Sequence, residues 1–233
     1  MKKVTYTIEG TIGQIIIDDG KVNALNPPLF DEMGKAINRV LEGGAKALVI
    51  AGRPGCFSAG LDIKLLPNLS PVAHANMSDA FAHTMTRIFL LPIPTVAACT
   101  GHAIAGGLML ALSCDLRFAL DGAFRLQMNE VANNMTLPGW MLLIGRSVIP
   151  VQYHVEALLH AHAYTPKEAF ERGIISGLVS GENNDVIARA KTAAEELLAL
   201  DQDCYAITKK RMRAKEVAHA LQLIPEERKE RKE

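Results

Sequence analysis

Apolar positions recur along this chain in two rhythms. Residues 4–8 and 11–18 alternate or run in β-branched residues around Glu9-Gly10, the pattern of a hairpin. Pro27-Pro28 then opens a stretch in which Leu29, Met33, Ile37, Val40 and Leu41 share one helical face, and Gly43-Gly44 closes it. Residues 46–51 (KALVIA) read as a short apolar strand. Residues 52–60 hold Pro54, Gly55 and Gly60 and read as a loop, with a turn or short helix over 61–66. Ser70-Pro71 starts a longer helix to about Leu91, with Ala75, Phe81, Met85, Ile88 and Phe89 inward, and Pro92 and Pro94 stop it.

Residues 94–99 (PTVAAC) predict a buried strand, followed by Gly101, Gly106 and Gly107 and a helical run over 108–112. Residues 115–119 and 123–126 suggest two more strands around Asp121-Gly122. From Pro138 onward the pattern is helical almost throughout. Thr165-Pro166-Lys167-Glu168 reads as a capped helix start, Leu178-Val179 as a last short strand, and 186–200, 205–213 and 217–223 as helices. Strands alternating with helices, then helices alone, predict an α/β fold with a helical extension. The expected division is a core over 1–180 and a helical C-terminal region over 181–233.

Composition narrows the function classes. The formal net charge is zero, which gives no basis for capture of nucleic acid or of a membrane surface. Basic residues cluster at 209–215 and 228–232, the latter alternating with glutamates as a solvated helical tail would. Cys56, Cys99, Cys114 and Cys204 form no C-x-x-C pair and no zinc spacing, so no metal site is expected. The N-terminus has no apolar signal core and no run reaches membrane-spanning length, so a cytoplasmic protein is expected.

Candidate chemistry gathers in three places. Residues 94–115 make a strand, a glycine-lined turn and a helix start, where a ligand meets backbone without a Cβ and amides lack helical partners. Such a turn suits an oxygen that becomes an anion, and it equally suits a tight connection with no ligand. A second stretch, CFSAGLDIK (56–64), offers an exposed amide at Leu61 just past Gly60; with Gly106 it gives the two fixed donors of an oxyanion hole. The third is Glu130, the one carboxylate in the uncharged stretch 126–144. Held among Met128, Val131, Met135 and Leu137, it would be desolvated and its pKa raised toward that of a general base; on a surface loop it would be ordinary. Met109 lies one helical turn past Gly106 and carries no acid or base. His102 could line a cleft, His160 and His162 lack a carboxylate cluster, and Asp115 suits a brace.

CFSAGLDIK, GHAIAGGLMLALSCDLRFA and the NEV…LPG segment together resemble the crotonase superfamily, also called enoyl-CoA hydratase/isomerase. The resemblance implies a spiral of ββα units, a helical C-terminal region that makes trimer contacts, and a homotrimer or a dimer of trimers. It implies coenzyme A thioester substrates with no separate cofactor. By the same resemblance the thioester oxygen sits on the amides of Leu61 and Gly106. Asn23, Ala24, Ala59, Gly60, Asp62, Gly107 and Met109 fall at positions around the coenzyme and the acyl group.

Hydratases of this family carry two glutamates that aim and activate water. The first falls at Met109 here and is absent. The NE…P spacing is similar instead to that of the family's Δ3,Δ2-enoyl-CoA isomerases, in which one glutamate, matching Glu130, works alone. Asn133-Asn134 departs from relatives that have an apolar residue and glycine there. The expected activity is Δ3→Δ2 enoyl-CoA isomerisation. The alternatives are hydration or another reaction of the family, and a non-catalytic acyl-CoA-binding subunit.

Overall fold

The computed structural model describes residues 3–230. An antiparallel hairpin, β1 (Val4–Glu9) and β2 (Ile12–Ile17), leads into α1 (Pro27–Glu42). Asn26 caps α1 by accepting the Leu29 N–H at 3.1 Å, and both prolines occupy the first turn, where no N–H is needed. β3 (Ala47–Ala51), β4 (Gly55–Ser58) and α2 (Pro71–Leu90) follow, then β5 (Thr95–Cys99), β6 (Gly101–Ile104) and α3 (Gly106–Leu112). β7 (Leu116–Leu120), β8 (Leu126–Gln127) and α4 (Gly139–Val148) repeat the pattern once more. The unit of two strands and a helix thus recurs along a spiral.

The strands separate into two sheets. The larger has the order β1-β2-β3-β5-β7-β9, with β9 at Gly177–Val179; the smaller is β4-β6-β8. Beyond the hairpin every pair is parallel. A parallel sheet needs cover on both faces, and β3 and β5 are accordingly buried at every position. One face packs on α1, α2 and α3. The other is covered by α6 (Asn183–Leu198), whose Val186, Ala190, Ala193 and Ala194 meet Val49, Val96 and Phe118. Small residues on α6 let it lie close to the sheet.

Four local expectations need correction. The stretch 52–60 is not all loop, because β4 lies in it, and β6 fills most of the expected glycine turn. Both strands are four residues long and begin at glycine, so neither shows an alternating run. Gly101 is required by close approach, since a Cβ there would stand 2.0 Å from the carbonyl carbon of Gly55, and Gly55 by its φ of 80°. Residues 123–126 are not a strand; only Leu126–Gln127 pairs, with β6. The separate helices expected beyond 205 are one helix, α7 (Gln202–Glu230), which runs through Pro225. The capped start at Thr165 is found as drawn: its hydroxyl accepts the Glu168 N–H, and Glu168 returns the bond, opening α5 (Pro166–Glu171).

Asp115 is the brace between α7 and the sheet. One carboxylate oxygen accepts the Thr95 N–H at 2.9 Å and Lys209 Nζ at 2.7 Å; the other accepts Arg213 at 2.8 Å. The basic segment 209–215 is therefore not wholly a solvated face. Burial favours protonation of Asp115, but the two cations outweigh it and hold the carboxyl below its usual range. No helix among the described residues is long and apolar enough to cross a membrane.

Candidate active site

A cleft of about 870 Å³ opens between the loop after β4, the middle of α2, the start of α3, the segment after β8, and the last turns of α7. Each wall follows from local backbone chemistry.

The loop after β4 is stitched to residues 22–25. Ala59 N–H donates to the Val22 carbonyl at 2.9 Å, Leu25 N–H to the Gly60 carbonyl at 2.8 Å, and Asp62 N–H to the Leu25 carbonyl at 2.9 Å. Gly60 N–H goes to the Ser58 hydroxyl at 3.1 Å. Gly60 stands at φ 83°, so the chain turns between Ala59 and Leu61 instead of running on as an extended strand. The Leu61 N–H is left over, and it has no acceptor among the described residues.

Across the cleft wall, Ala105 sits at φ 51° and ψ −123°, a conformation that costs a non-glycine residue about 1–3 kcal/mol. Its own N–H reaches the Gln127 carbonyl at 2.6 Å, and its carbonyl accepts the Met109 N–H at 3.0 Å. The turn of the chain at Ala105 frees the next amide, that of Gly106, which also has no acceptor among the described residues. Gly60 (φ 83°) lies against it: a Cβ there would be 2.9 Å from the Gly106 nitrogen and 2.7 Å from the Ile104 oxygen. Leu61, Ala105 and Gly106 all line the cleft.

Glu130 comes from the turn after β8. Its carbonyl accepts the N–H groups of Asn133 and Met135, both at 2.9 Å, so the chain wraps around it. Asn134 closes this turn in the left-handed conformation, φ 57°, which asparagine tolerates. That is how the chain accommodates asparagine where the resemblance expected glycine. The Glu130 side chain is buried, and its Oε2 accepts no hydrogen bond from the described residues. Desolvation raises its pKa from 4.5 to about 7. A carboxylate so poised exchanges protons near neutral pH.

The cleft gathers Ala24, Ala59, Leu61, Asp62, Gly106 and Glu130 from the expected set. It does not gather Asn23, Gly60, Gly107 or Met109. Asn23 is turned inward, its amide donating to the Ile17, Cys56 and Phe57 carbonyls, while its neighbours Val22 and Ala24 face the cleft. Gly107 packs on β4, where a Cβ would stand 2.1 Å from the Ser58 oxygen. Met109 is wholly buried in the core. His102 accepts the Arg125 N–H at 3.0 Å, stacks edge-on with Phe124 and lies outside the cleft.

Sequence reasoning missed the apolar wall and the far end. Trp140 and Phe81 meet edge to face, with centroids 4.9 Å apart, and both line the cleft. Ile224, Glu227 and Arg228 of α7 line it too, although charge alternation had placed the end of α7 in solvent. The only signal for Trp140 and Ile224 was apolar character, which most core residues share. No group of His, Cys, Asp and Glu suited to a metal ion occurs among the described residues.

The spiral of ββα units with its two sheets is a crotonase-type fold. The enoyl-CoA hydratase/isomerase family model matches residues 7–230, and the chain belongs to that family. A probable enoyl-CoA hydratase of Bacillus subtilis is 26% identical over 83% of this chain and 75% of its own length. The human mitochondrial enoyl-CoA delta isomerase 1 is 29% identical over 71% of this chain and 55% of its own length. Among solved structures, a Mycobacterium tuberculosis enoyl-CoA isomerase without ligand superimposes with a TM-score of 0.89 at 33% identity, covering 97% of this chain and 99% of that one. The relatives carry both the hydratase and the isomerase name.

Proposed function

We propose that this chain is a Δ3→Δ2 enoyl-CoA isomerase. The observation that carries the reading is Glu130: a buried carboxyl, its pKa raised to about 7, on a cleft that also holds two unengaged amides. Glu130 removes a proton from C2 of a 3-enoyl thioester. The electron pair delocalises to the thioester oxygen as a dienolate, and the N–H groups of Leu61 and Gly106 stabilise that charge. Protonated Glu130 then returns the proton to C4, so the double bond moves and nothing is added or lost.

Hydration demands a second polar group that aims water. Met109, at the position where the family's hydratases carry that group, is apolar and buried away from the cleft. This favours isomerisation. The acyl chain lies along Phe81, Leu137 and Trp140, and the coenzyme along Val22, Ala24, Ala59 and Asp62. The test is an assay of the purified chain with a 3-enoyl-CoA and, separately, with crotonyl-CoA. Isomerisation without hydration supports the reading. Hydration of crotonyl-CoA at a comparable rate overturns it, and binding without either reaction makes the chain a non-catalytic acyl-CoA carrier.

A further inference from the structure

The last turns of α7 line the cleft, yet the proposed reaction gives them no task. Pro225 interrupts α7 just before them: it lacks an N–H, so the helix loses one bond at that point. Two polar ties hold the segment beyond. Glu227 Oε1 accepts the Gly139 N–H at 2.9 Å, at the first residue of α4. Arg228 donates to Asp79 and to the Ala75 carbonyl, both on α2. The fit at α4 is close, since a Cβ on Gly139 would stand 2.6 Å from that Glu227 oxygen.

The cleft changes character along this wall. Leu66, Phe81, Leu137, Trp140 and Leu142 make it apolar, and Ile224 continues the apolar surface from α7. One turn further the lining is Glu227 and Arg228. Glu227 Oε2 is buried and accepts no hydrogen bond from the described residues. A methylene pressed into this corner would lie against a buried carboxylate oxygen that it cannot satisfy, strip solvent from the partly exposed guanidinium and return nothing.

We propose that Ile224 and Glu227 set the length of the acyl chain this cleft accepts. Ile224 is the last apolar surface that a straight hydrocarbon tail can cover, and Glu227, pinned on α4, is the stop beyond it. The substrate class is then a thioester whose unbranched tail ends at Ile224. This rests on the reading of the cleft as an acyl-CoA site.

The experiment measures binding, without turnover, of unreactive S-alkyl-CoA thioethers with tails from butyl to hexadecyl length. It compares the full chain with Glu227→Leu, Glu227→Gln and Ile224→Ala. In the unaltered chain affinity rises about fourfold with each added methylene, then breaks and stops rising. Glu227→Leu moves the break to longer tails and leaves the shorter ones unchanged. Glu227→Gln, which keeps size and polarity, leaves the break in place. Ile224→Ala, which adds room without touching either tie, also moves it outward and carries the test should Glu227→Leu fail to fold. Affinity that climbs to hexadecyl without a break overturns the proposal, as does a break that stays put in both Glu227→Leu and Ile224→Ala. If no thioether binds at any length, the acyl-CoA reading itself fails, and this inference with it.

Discussion

Gly60 and Gly106 touch through space that only a hydrogen can occupy. A Cβ on Gly60 would stand 2.9 Å from the Gly106 nitrogen. The contact sets the spacing of the two amides that face the cleft, because Leu61 follows Gly60 directly. Gly60 also sits at φ 83°, where an L side chain is strained. Gly60→Ala is therefore expected to push the Gly106 amide away. Loss of one such donor lowers kcat by about 10²–10³, while acyl-CoA binding weakens much less. Steady-state kinetics beside a binding titration check this, and an unchanged kcat would remove the two-amide geometry from the mechanism.

Glu130→Gln keeps the size of the side chain and removes its proton chemistry. The expected loss in kcat is about 10²–10⁴, the usual range for a positioned acid–base group. Affinity for an unreactive acyl-CoA should hold. Retention of activity in this variant would move the proton transfer to another residue.

The raised pKa of Glu130 gives activity a pH limb. Below about pH 7 the carboxyl is protonated in the free enzyme, and kcat/KM should fall tenfold per pH unit. Stability runs the opposite way. The folded chain holds this proton up to about pH 7, whereas the unfolded chain releases it near 4.5. Between those values the native state binds more protons, so stability declines as pH rises through the window, by at most about 3 kcal/mol. Denaturant titrations at pH 4.5 and 7.5 on the chain and on Glu130→Gln measure it. The variant should lack this component.

Asp115 joins two cations that are distant in sequence. Removing it leaves Lys209 and the half-buried Arg213 without their shared carboxylate. Asp115→Ala is expected to cost about 3–5 kcal/mol of stability, since an unpaired buried charge outweighs the value of the pair. A fall in melting temperature without a matching change in kcat of the folded fraction fits a brace.

Much of this was legible before any coordinates. α1 and α2 announce themselves by helical periodicity with proline and a polar cap at the start, and β3 and β5 by unbroken apolar runs. Glu130 stood out as one charge in an uncharged stretch, and the fold is what buries and desolvates it. β4, β6 and β8 were not legible. They are too short to show a period, and a glycine contact between segments far apart fits β4 against β6. Asn23 was legible as special but not in its direction: its positive φ turns the amide toward three carbonyls inside the fold. The end of α7 misled because alternating charge describes a solvated face just as well as two inward ties to α2 and α4.

The cleft takes residues from Val22 to Glu230, one portion from each successive unit of the spiral and the last from α7. Every residue given a part in the reaction lies between Val22 and Trp140, and α7 adds the far wall of the cleft. A chain emerging in order builds its strands and helices early and closes the far wall of its cleft last, when α7 docks on α2 and α4. Regain of ligand binding during refolding should accordingly lag the return of helical signal, with the interval reporting the docking of a single helix.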